Sequence, residues 1–297
     1  MKNTMKKPVA IPVEKLRPFA GHPFKVKDDA EMNTLIESIQ TQGVLSPLIV
    51  RPIENTDEYE LISGHRRLHA AQKAGITEVS ALIYALDRDA AVIAVVDSNL
   101  HREHILPSEK AFAYKMKLDA MKRQGQRTDL TLSPVATKLD TAAQLGRQSG
   151  ESRDQVFRFI RLTNLIPEIL ELVDNSVLKD PETLQIALRP AVELSYLRKE
   201  EQADLFAIMD ELDCTPSHAQ AIKMRQMSEA KTGGERLAKD ALVSIMKEEK
   251  PNQKEQFKIP KERINKYFAP GTPAQKIEDT IIKALELYRK RQRSLER

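Results

Sequence analysis

Residues 59–73 of this 297-residue chain read YELISGHRRLHAAQK and contain an abrupt change of pattern. The first five residues are typical of a short β-strand, and the apolar spacing after Gly64 predicts a helix from about His65 to Lys73. Glycine allows the sharp turn between the two elements. Arg66 and Arg67 then fall in the first helical turn, where the helix dipole disfavours cations unless an anion is bound.

This turn has two interpretations. Free backbone N–H groups at a helix start, together with two guanidinium groups, form a phosphate-binding arrangement. Alternatively, Gly64 is a simple turn, and the arginines pair with acids or lie along the surface. Two other segments favour phosphate binding. The loop TQGVLSPLIVR at 41–51, with Gly43 and Ser46, is suited to holding a flat base, and DSNLHREH at 97–104 places Asn99, Arg102 and Glu103 at a helix end.

Short strands and helices alternate through the first hundred residues. The runs VAIPVEKL, PLIVRP and VSALIYAL read as strands or apolar runs, and DRDAAVIAVVDSNL reads as a helix. Met32, Leu35, Ile36 and Ile39 share one face of a further helix that ends at Gly43. This segment is therefore predicted to be a compact α/β domain.

Helical patterns dominate from Pro107 onward, and the polar segment 123–140 reads as a flexible connection or an insertion. We predict a mainly helical α+β protein with three parts. A small α/β domain spans residues 1–105, an all-α domain spans 106–248, and a linker with a C-terminal helix spans 249–297. The last helix could dimerise through an apolar face formed by Ile277, Ile281, Ile282, Leu285 and Leu287.

A helix-turn-helix is predicted at about 142–164, within AAQLGRQSGESRDQVFRFIRLTNL. Gly146 falls where the two helices approach each other, and Gly150 falls at the turn, where glycine adopts a positive φ most easily. Val156 and Ile160 form the apolar face of the second helix. Ser152 is the predicted N-cap, and Arg153, Gln155, Arg158 and Arg161 spread over the exposed side. Arg and Gln side chains on such a helix can contact base edges in the major groove, although two ordinary surface helices would give a similar pattern.

Composition excludes several classes of protein. The net charge is only +4, Trp is absent and the single cysteine, Cys214, cannot form an internal disulfide. The sequence has no signal-peptide pattern and no apolar run of membrane-spanning length, which predicts a cytoplasmic protein without a membrane partner. It also lacks the P-loop motif of ATPases. The histidine pairs His65/His69 and His101/His104 could suggest zinc, but adjacent arginines and the missing glutamate of a zincin motif disfavour it.

The segments around Gly43, Gly64 and Asn99 follow one another along the chain and precede a helix-turn-helix. In this arrangement the sequence resembles the ParB/Spo0J/Noc family of chromosome and plasmid partition proteins, over roughly residues 8–230. The first family motif resembles Gly43–Leu48 with Arg51. The second, a Gly-Glu-Arg-Arg-x-x-Ala pattern, resembles Gly64–Ala70. The third, Glu-Asn-x-x-Arg-Glu, resembles Ser98–Glu103, followed by a Pro-x-Glu-x-Ala helix start at Pro107. The variety resembles ParB-like proteins of plasmids and mobile elements.

The resemblance implies an N-terminal domain similar to that of ParB and sulfiredoxin, which binds CTP with Mg²⁺. It also implies a helical domain that reads a centromere-like site in double-stranded DNA. The family dimerises, closes on DNA as a CTP-regulated clamp, associates with the nucleoid and stimulates a ParA-type ATPase. By this resemblance, the triphosphate would be held by Gly64, Arg66 and Arg67. The base would be held by Gly43 and its loop, which includes Ser46. The metal and the phosphates beside it would be approached by Asn99 and Arg102, next to Glu103. Asn99 would approach Mg²⁺ through the nucleotide.

Two departures concern hydrolysis. The family's acidic residue after the glycine is His65 here, and the acid before Asn99 is Ser98. A neutral imidazole is a poor substitute for a carboxylate beside a hard cation. Nucleotide binding can therefore persist while CTP hydrolysis is weak or absent, and the sequence leaves enzymatic activity open.

Other functions remain in competition at this level. A ParB-like transcriptional regulator of a plasmid or conjugative element would carry the same motifs. The N-terminal fold also resembles nucleotide-using kinases, and a kinase or nuclease would need a carboxylate, for which Asp97 and Glu103 are the nearby candidates. Sulfiredoxin chemistry is excluded because Ser63 and Gly64, rather than a cysteine, precede His65.

Overall fold

A five-stranded sheet forms the N-terminal part of the protein. In the computed structural model, the described residues are 7–100, 102, 105–128, 134–231, 235–248, 267–268, 276–277, 279–284 and 288. The strands are β1 (Val9–Pro12), β2 (Leu16–Arg17), β3 (Leu48–Pro52), β4 (Tyr59–Ser63) and β5 (Glu78–Ile83), in the order β1-β5-β3-β4-β2. The β1–β5 and β3–β4 pairs are antiparallel, whereas β3–β5 and β2–β4 are parallel.

Alternation along β3 and β4 divides the apolar side chains between two faces of this sheet. Leu48, Val50 and Leu61 pack with helices α1 (Ala30–Gln42) and α2 (His65–Lys73). Ile49 and Ile62 pack instead with α3 (Arg88–Asp97) and with α4 (Pro107–Thr128). Helices therefore cover both faces, and the predicted bounds of α2 are confirmed.

Among the described residues up to 248, the helical part continues from α4 through seven further α-helices. They are α5 (Pro134–Ser149), α6 (Arg153–Arg161), α7 (Pro167–Leu178), α8 (Leu188–Leu194), α9 (Lys199–Leu212), α10 (His218–Glu229) and α11 (Lys239–Met246). One apolar core joins them, from Tyr114 of α4 to Met246 of α11. The predicted α+β class, mainly helical, is confirmed.

Helix α4 belongs to both parts of the molecule. Tyr114 and Leu118 lie in the core of the helical part, whereas Ala120 packs with the helix that covers the sheet. The buried carboxylate of Asp174 on α7 accepts hydrogen bonds from the backbone N–H of Ser108, at 2.8 Å, and from its hydroxyl, at 2.5 Å. Residues 1–248 form one compact unit and residues 249–297 a second, so the division at 105/106 stays a prediction.

The prediction of a flexible connection at 123–140 was wrong for most of that segment. Helix α4 continues to Thr128 and α5 begins at Pro134, so that only 129–133 lie outside the described residues. Proline is favourable in the first turn of a helix, where its missing N–H would have no intrahelical partner. Ala142 and Leu145 of α5 are fully buried, which shows that packing stabilises this polar helix.

In the C-terminal unit, the described residues 276–277, 279–284 and 288 have helical backbone, whereas 267–268 form a turn. Ile277 and Ile281 are half-buried and Ile282 is 49% exposed, whereas Leu285 and Leu287 lie outside the described residues. The use of this helix for dimerisation stays a prediction. None of the helices in the described ranges is long and apolar enough to cross a membrane.

Candidate functional site

Gly64 forms the turn between β4 and α2 in a conformation that only glycine adopts easily, with φ of 107°. A Cβ atom here would overlap Cδ2 of Leu48, a buried side chain that would have to shift to make room. The carbonyl oxygen of Gly64 accepts the first helical hydrogen bond, from the N–H of Leu68 at 2.9 Å. The predicted strand–glycine–helix turn is confirmed.

Arg66 lies at a cavity of about 540 Å³, which we call the N-terminal cavity. Its guanidinium is held by two carboxylates from the start of α1, with Nη2 3.4 Å from Oδ1 of Asp29 and 3.2 Å from Oε2 of Glu31. The lining residues are Lys25, Lys27, Asp29, Glu31, Arg66, Arg102, Leu106, Glu109 and Leu178. Among these described residues, four cationic side chains outnumber three carboxylates.

Arg67 points away from this cavity, toward the loop before β3. Its Nη1 donates hydrogen bonds to the carbonyl oxygens of Ser46, at 2.6 Å, and Pro47, at 3.1 Å. Burial lowers the pKa of the Arg67 guanidinium. Gly43 ends α1 with φ of 71°, and Ser46 is exposed in the same loop. The structure therefore brings the first two motifs together, with Arg67 binding the loop.

The third motif divides in the structure. Arg102 lines the N-terminal cavity with Arg66, and burial lowers the pKa of its guanidinium, an effect to which the charge of Arg66 adds. Asn99 is only 3% exposed, and its amide nitrogen donates to the carbonyl of Val95 at 2.7 Å and to the hydroxyl of Ser98 at 3.1 Å. Asn99 is thus absent from the cavity lining. Glu103, His101 and His104 lie outside the described residues.

His65 packs against His22, with ring centroids 3.7 Å apart and ring planes tilted by 38°. The Nε2 atoms of both rings are buried and have no hydrogen-bond partner among the described residues. Burial, followed by the nearby His22 and the charge of Arg102, lowers the pKa of His65 to about 3. The imidazole is therefore neutral near pH 7 and is a weak base. Within the described residues, no three His, Cys, Asp or Glu side chains gather into a metal site.

The motifs did not identify Lys25 and Lys27 as cavity residues. Buried Phe24 anchors their segment, and the N–H of Lys25 donates to Oε1 of Glu109 at 2.9 Å. The other oxygen of Glu109 accepts from the N–H of Leu106 at 3.1 Å. Glu109 is therefore engaged by backbone, while the two lysines line the cavity. The alternating lysines of HPFKVKDD, directly before α1, were the available signal.

The helix-turn-helix has the predicted local geometry. Helix α5 ends at Ser149, Gly150 has φ of 71°, and α6 begins at Arg153 after the N-cap Ser152, whose side chain accepts from the N–H of Gln155 at 3.1 Å. A Cβ atom on Gly146 would lie 2.6 Å from the carbonyl oxygen of Glu151, which confirms the close approach expected there.

Three of the four predicted reading side chains remain available on α6. Arg153 and Arg158 are exposed and Gln155 is half-buried, while Val156 and Phe159 anchor the inner face. Arg158 forms no ion pair with another described residue, and it lines a cleft of about 590 Å³ with Lys115 of α4.

Arg161, the fourth of these side chains, is half-buried and lines the same cleft, but it is also engaged within the protein. Its Nε and Nη2 donate to the hydroxyl and carbonyl of Ser195, at 3.1 and 3.2 Å, and the guanidinium lies 3.7 Å from the ring centre of Tyr196. Arg161 therefore fixes α6 against the end of α8. An exposed helix with unpaired arginines beside a basic cleft can bind the edges of bases and the phosphates around them.

Comparison with known proteins identifies relatives of this chain. Residues 1–100 match the ParB N-terminal domain family. The nucleoid occlusion protein of Geobacillus thermodenitrificans is 30% identical over 77% of this chain and 73% of its own length. The chromosome-partitioning protein Spo0J of Thermus thermophilus is 36% identical over 56% of this chain and 54% of its own, so the chain spans about half of that relative. The C-terminally truncated ParB of Caulobacter crescentus, complexed to the centromeric parS site, has a TM-score of 0.39 and 22% identity, covering 74% of this chain and 99% of that one.

The N-terminal match and the Geobacillus relative, which aligns over nearly three quarters of its own length, lead to one conclusion: this chain belongs to the ParB family of partition proteins.

Proposed function

We propose that this protein is a dimeric, sequence-specific DNA-binding partition protein whose N-terminal cavity binds CTP with Mg²⁺. The observation that carries the DNA-binding part is the pair α5–α6. Gly146 and Gly150 set its geometry, and α6 presents Arg153, Gln155 and Arg158 outward. Arg and Gln can each form two parallel hydrogen bonds to a base edge, which is the chemistry that distinguishes one base pair from another.

The N-terminal cavity supports the nucleotide part through its charge. Lys25, Lys27, Arg66 and Arg102 are the cationic residues of its lining, and Glu109, one of the three carboxylates, is already engaged by backbone N–H groups. Its volume of about 540 Å³ is within the range of ligand sites. Arg66 would exchange Asp29 and Glu31 for phosphate oxygens, which bind guanidinium groups in parallel pairs. The choice of CTP comes from the family resemblance of the three motifs.

A bound Mg²⁺ would neutralise phosphate charge and prefers oxygen ligands. The described cavity offers it the carboxylates of Asp29 and Glu31, whereas Asn99 is buried against its own helix. His65, with a pKa of about 3, is poorly suited to take a proton from water. We therefore propose that CTP is bound and hydrolysed slowly if at all.

The remaining parts of the proposal rest on family membership. Such a protein would act on the nucleoid in the cytoplasm, close on DNA as a clamp and stimulate a ParA-type ATPase. Dimerisation is assigned to the C-terminal helix, on which Ile277 and Ile281 are half-buried and Ile282 is exposed.

The test combines DNA selection with calorimetry. A binding site is first selected from a random duplex library, and each nucleoside triphosphate is then titrated with Mg²⁺, with and without the selected duplex. We expect an enriched palindromic site and a preference for CTP. Failure to enrich any site would refute the DNA-reading function, and equal or absent binding of all four nucleotides would refute the CTP assignment.

A further inference from the structure

A second basic cleft lies beside the exposed face of α6. It has a volume of about 270 Å³ and is lined by Arg158 of α6, Arg189, Val192 and Glu193 of α8, and His218, the first residue of α10. Arg158, Arg189 and His218 are all exposed. Their side chains can therefore reach a ligand that is too large to enter the protein.

The single carboxylate of this cleft is already engaged. Oε2 of Glu193 lies 3.1 Å from Nη1 of Arg225, and the guanidinium of Arg225 also lies 2.8 Å from Glu229 and 3.7 Å from the ring centre of Tyr196. Because Arg225 is held on three sides, it keeps Glu193 from neutralising the arginines of the cleft. Neither Arg158 nor Arg189 forms an ion pair within the described part of the chain.

We propose that the cleft between α6, α8 and α10 binds a backbone phosphate of duplex DNA, held by Arg189 and His218 next to the bases that α6 reads. This rests on the proposed DNA-binding function. Phosphate contacts set the position and orientation of a protein on DNA, and they make up half or more of the hydrogen bonds in such complexes. Since Arg158 lines this cleft as well as the larger one beside Lys115, a duplex lying along α6 would pass its backbone over Arg189.

The alternative occupant, a base edge, predicts a different result. A base contact loses affinity for the specific site only, whereas a phosphate contact loses affinity for every sequence. A phosphate contact also contributes to the salt dependence of binding. The logarithm of the association constant falls with the logarithm of the salt concentration by a slope of about 0.9 for each phosphate neutralised. Between about 50 and 200 mM salt, one lost contact therefore changes the ratio of wild-type to variant affinity by about 3.5-fold.

The experiment measures fluorescence anisotropy of the full chain with the selected duplex and with a shuffled duplex of equal length, across that salt range. Arg189→Gln is the test variant, and Arg189→Lys keeps the point charge. Arg236→Gln is the control, because Arg236 is exposed, lies 3.8 Å from Asp204 and lines neither cleft. We expect Arg189→Gln to weaken binding to both duplexes equally and to reduce the salt slope by about 0.9, while Arg189→Lys and Arg236→Gln keep the wild-type slope.

An unchanged slope for Arg189→Gln, with specific binding intact, would overturn this inference and leave the proposed function standing. A loss confined to the selected duplex would overturn it as well, because it would make Arg189 a base contact. If the wild-type chain showed no preference for any selected duplex, the proposed function itself would fail.

Discussion

Substituting Gly146 with alanine should damage the helix-turn-helix more than its small size suggests. The N–H of Glu151 donates to the carbonyl oxygen of Gly146 at 2.9 Å, which pulls the turn against the end of α5. The added Cβ would lie 2.6 Å from the oxygen of Glu151 and 3.3 Å from the N of Arg153. The clash is with backbone, so rotation of a side chain cannot relieve it. The turn has to move by about 0.8 Å to restore ordinary contact at 3.4 Å.

The size of the effect follows from two opposing contributions. Overpacking of this kind costs about 1–3 kcal/mol, while replacing glycine by alanine inside a helix returns roughly 0.5–1 kcal/mol. We expect a net loss of about 1–2 kcal/mol in the free energy of unfolding. Because the displaced turn leads directly into α6, specific DNA binding should weaken more than binding to an unrelated duplex.

The matched control is Gly150→Asn in the same turn. Gly150 has φ of 71°, and nothing lies within 4 Å of a Cβ placed there. Asparagine accepts this conformation, so we expect a change of about 1 kcal/mol or less. Urea unfolding followed by circular dichroism gives both values, and anisotropy gives the binding. A Gly146→Ala variant as stable and as specific as the wild type would refute the close approach of α5 and the turn.

Three further outcomes are expected. Arg66→Gln should weaken CTP binding in calorimetry by about 2 kcal/mol, because charge-assisted hydrogen bonds to the phosphates are lost. Arg17→Gln, at an exposed ion pair with Glu58, is the control and should bind CTP normally. Equal affinities of the two variants would remove Arg66 from the site. Between about pH 7.5 and 5.5, the wild type should lose about 1.4 kcal/mol more of its free energy of unfolding than His65→Phe. The folded structure lowers the pKa of His65 to about 3, so that only the unfolded state takes up the proton in this range. Parallel plots of unfolding free energy against pH for the two proteins would contradict the burial of His65. Asp97→Asn should lower the free energy of unfolding by about 3 kcal/mol, because the buried ammonium of Lys117 loses its carboxylate partner. Lys117→Met, which removes the buried charge itself, should change stability little. If urea unfolding showed Lys117→Met to be the less stable variant, the buried charge would not be the cause.

Local sequence patterns correctly predicted the helices whose ends carry a glycine or a capping residue within a few positions. The bounds of α2 follow from Gly64 and the apolar spacing after it, and the start of α6 follows from Gly150 and Ser152. Each of these signals acts through backbone geometry or a cap that the neighbouring residues themselves complete. They could therefore be read without knowledge of the rest of the fold.

Elements stabilised by distant contacts were predicted less well. The polar segment 123–140 carries few apolar residues, and its helices depend on the burial of Ala142 and Leu145 against other helices. Pro134, at the start of α5, was a helix-start signal that the polar composition outweighed.

The site residues show the same division. Their types were predicted from the motifs, but the direction of each side chain depends on partners far along the chain. Arg67 binds the carbonyl of Ser46, 21 residues earlier, and Arg161 binds Ser195, 34 residues later. Spacing within a motif carries no information about such partners, so it could not separate Arg66, at the cavity, from Arg67, at the loop.

Whether α6 reads DNA bases can be decided with Arg158→Ala, by measuring anisotropy with the selected duplex and with the shuffled one. The side chain is exposed and has no ion-pair partner in the described structure, so its removal should leave the fold intact. If Arg158 contacts a base, binding should weaken by about 1–3 kcal/mol on the selected duplex and change little on the shuffled one. An equal loss on both duplexes, or none on either, would contradict it.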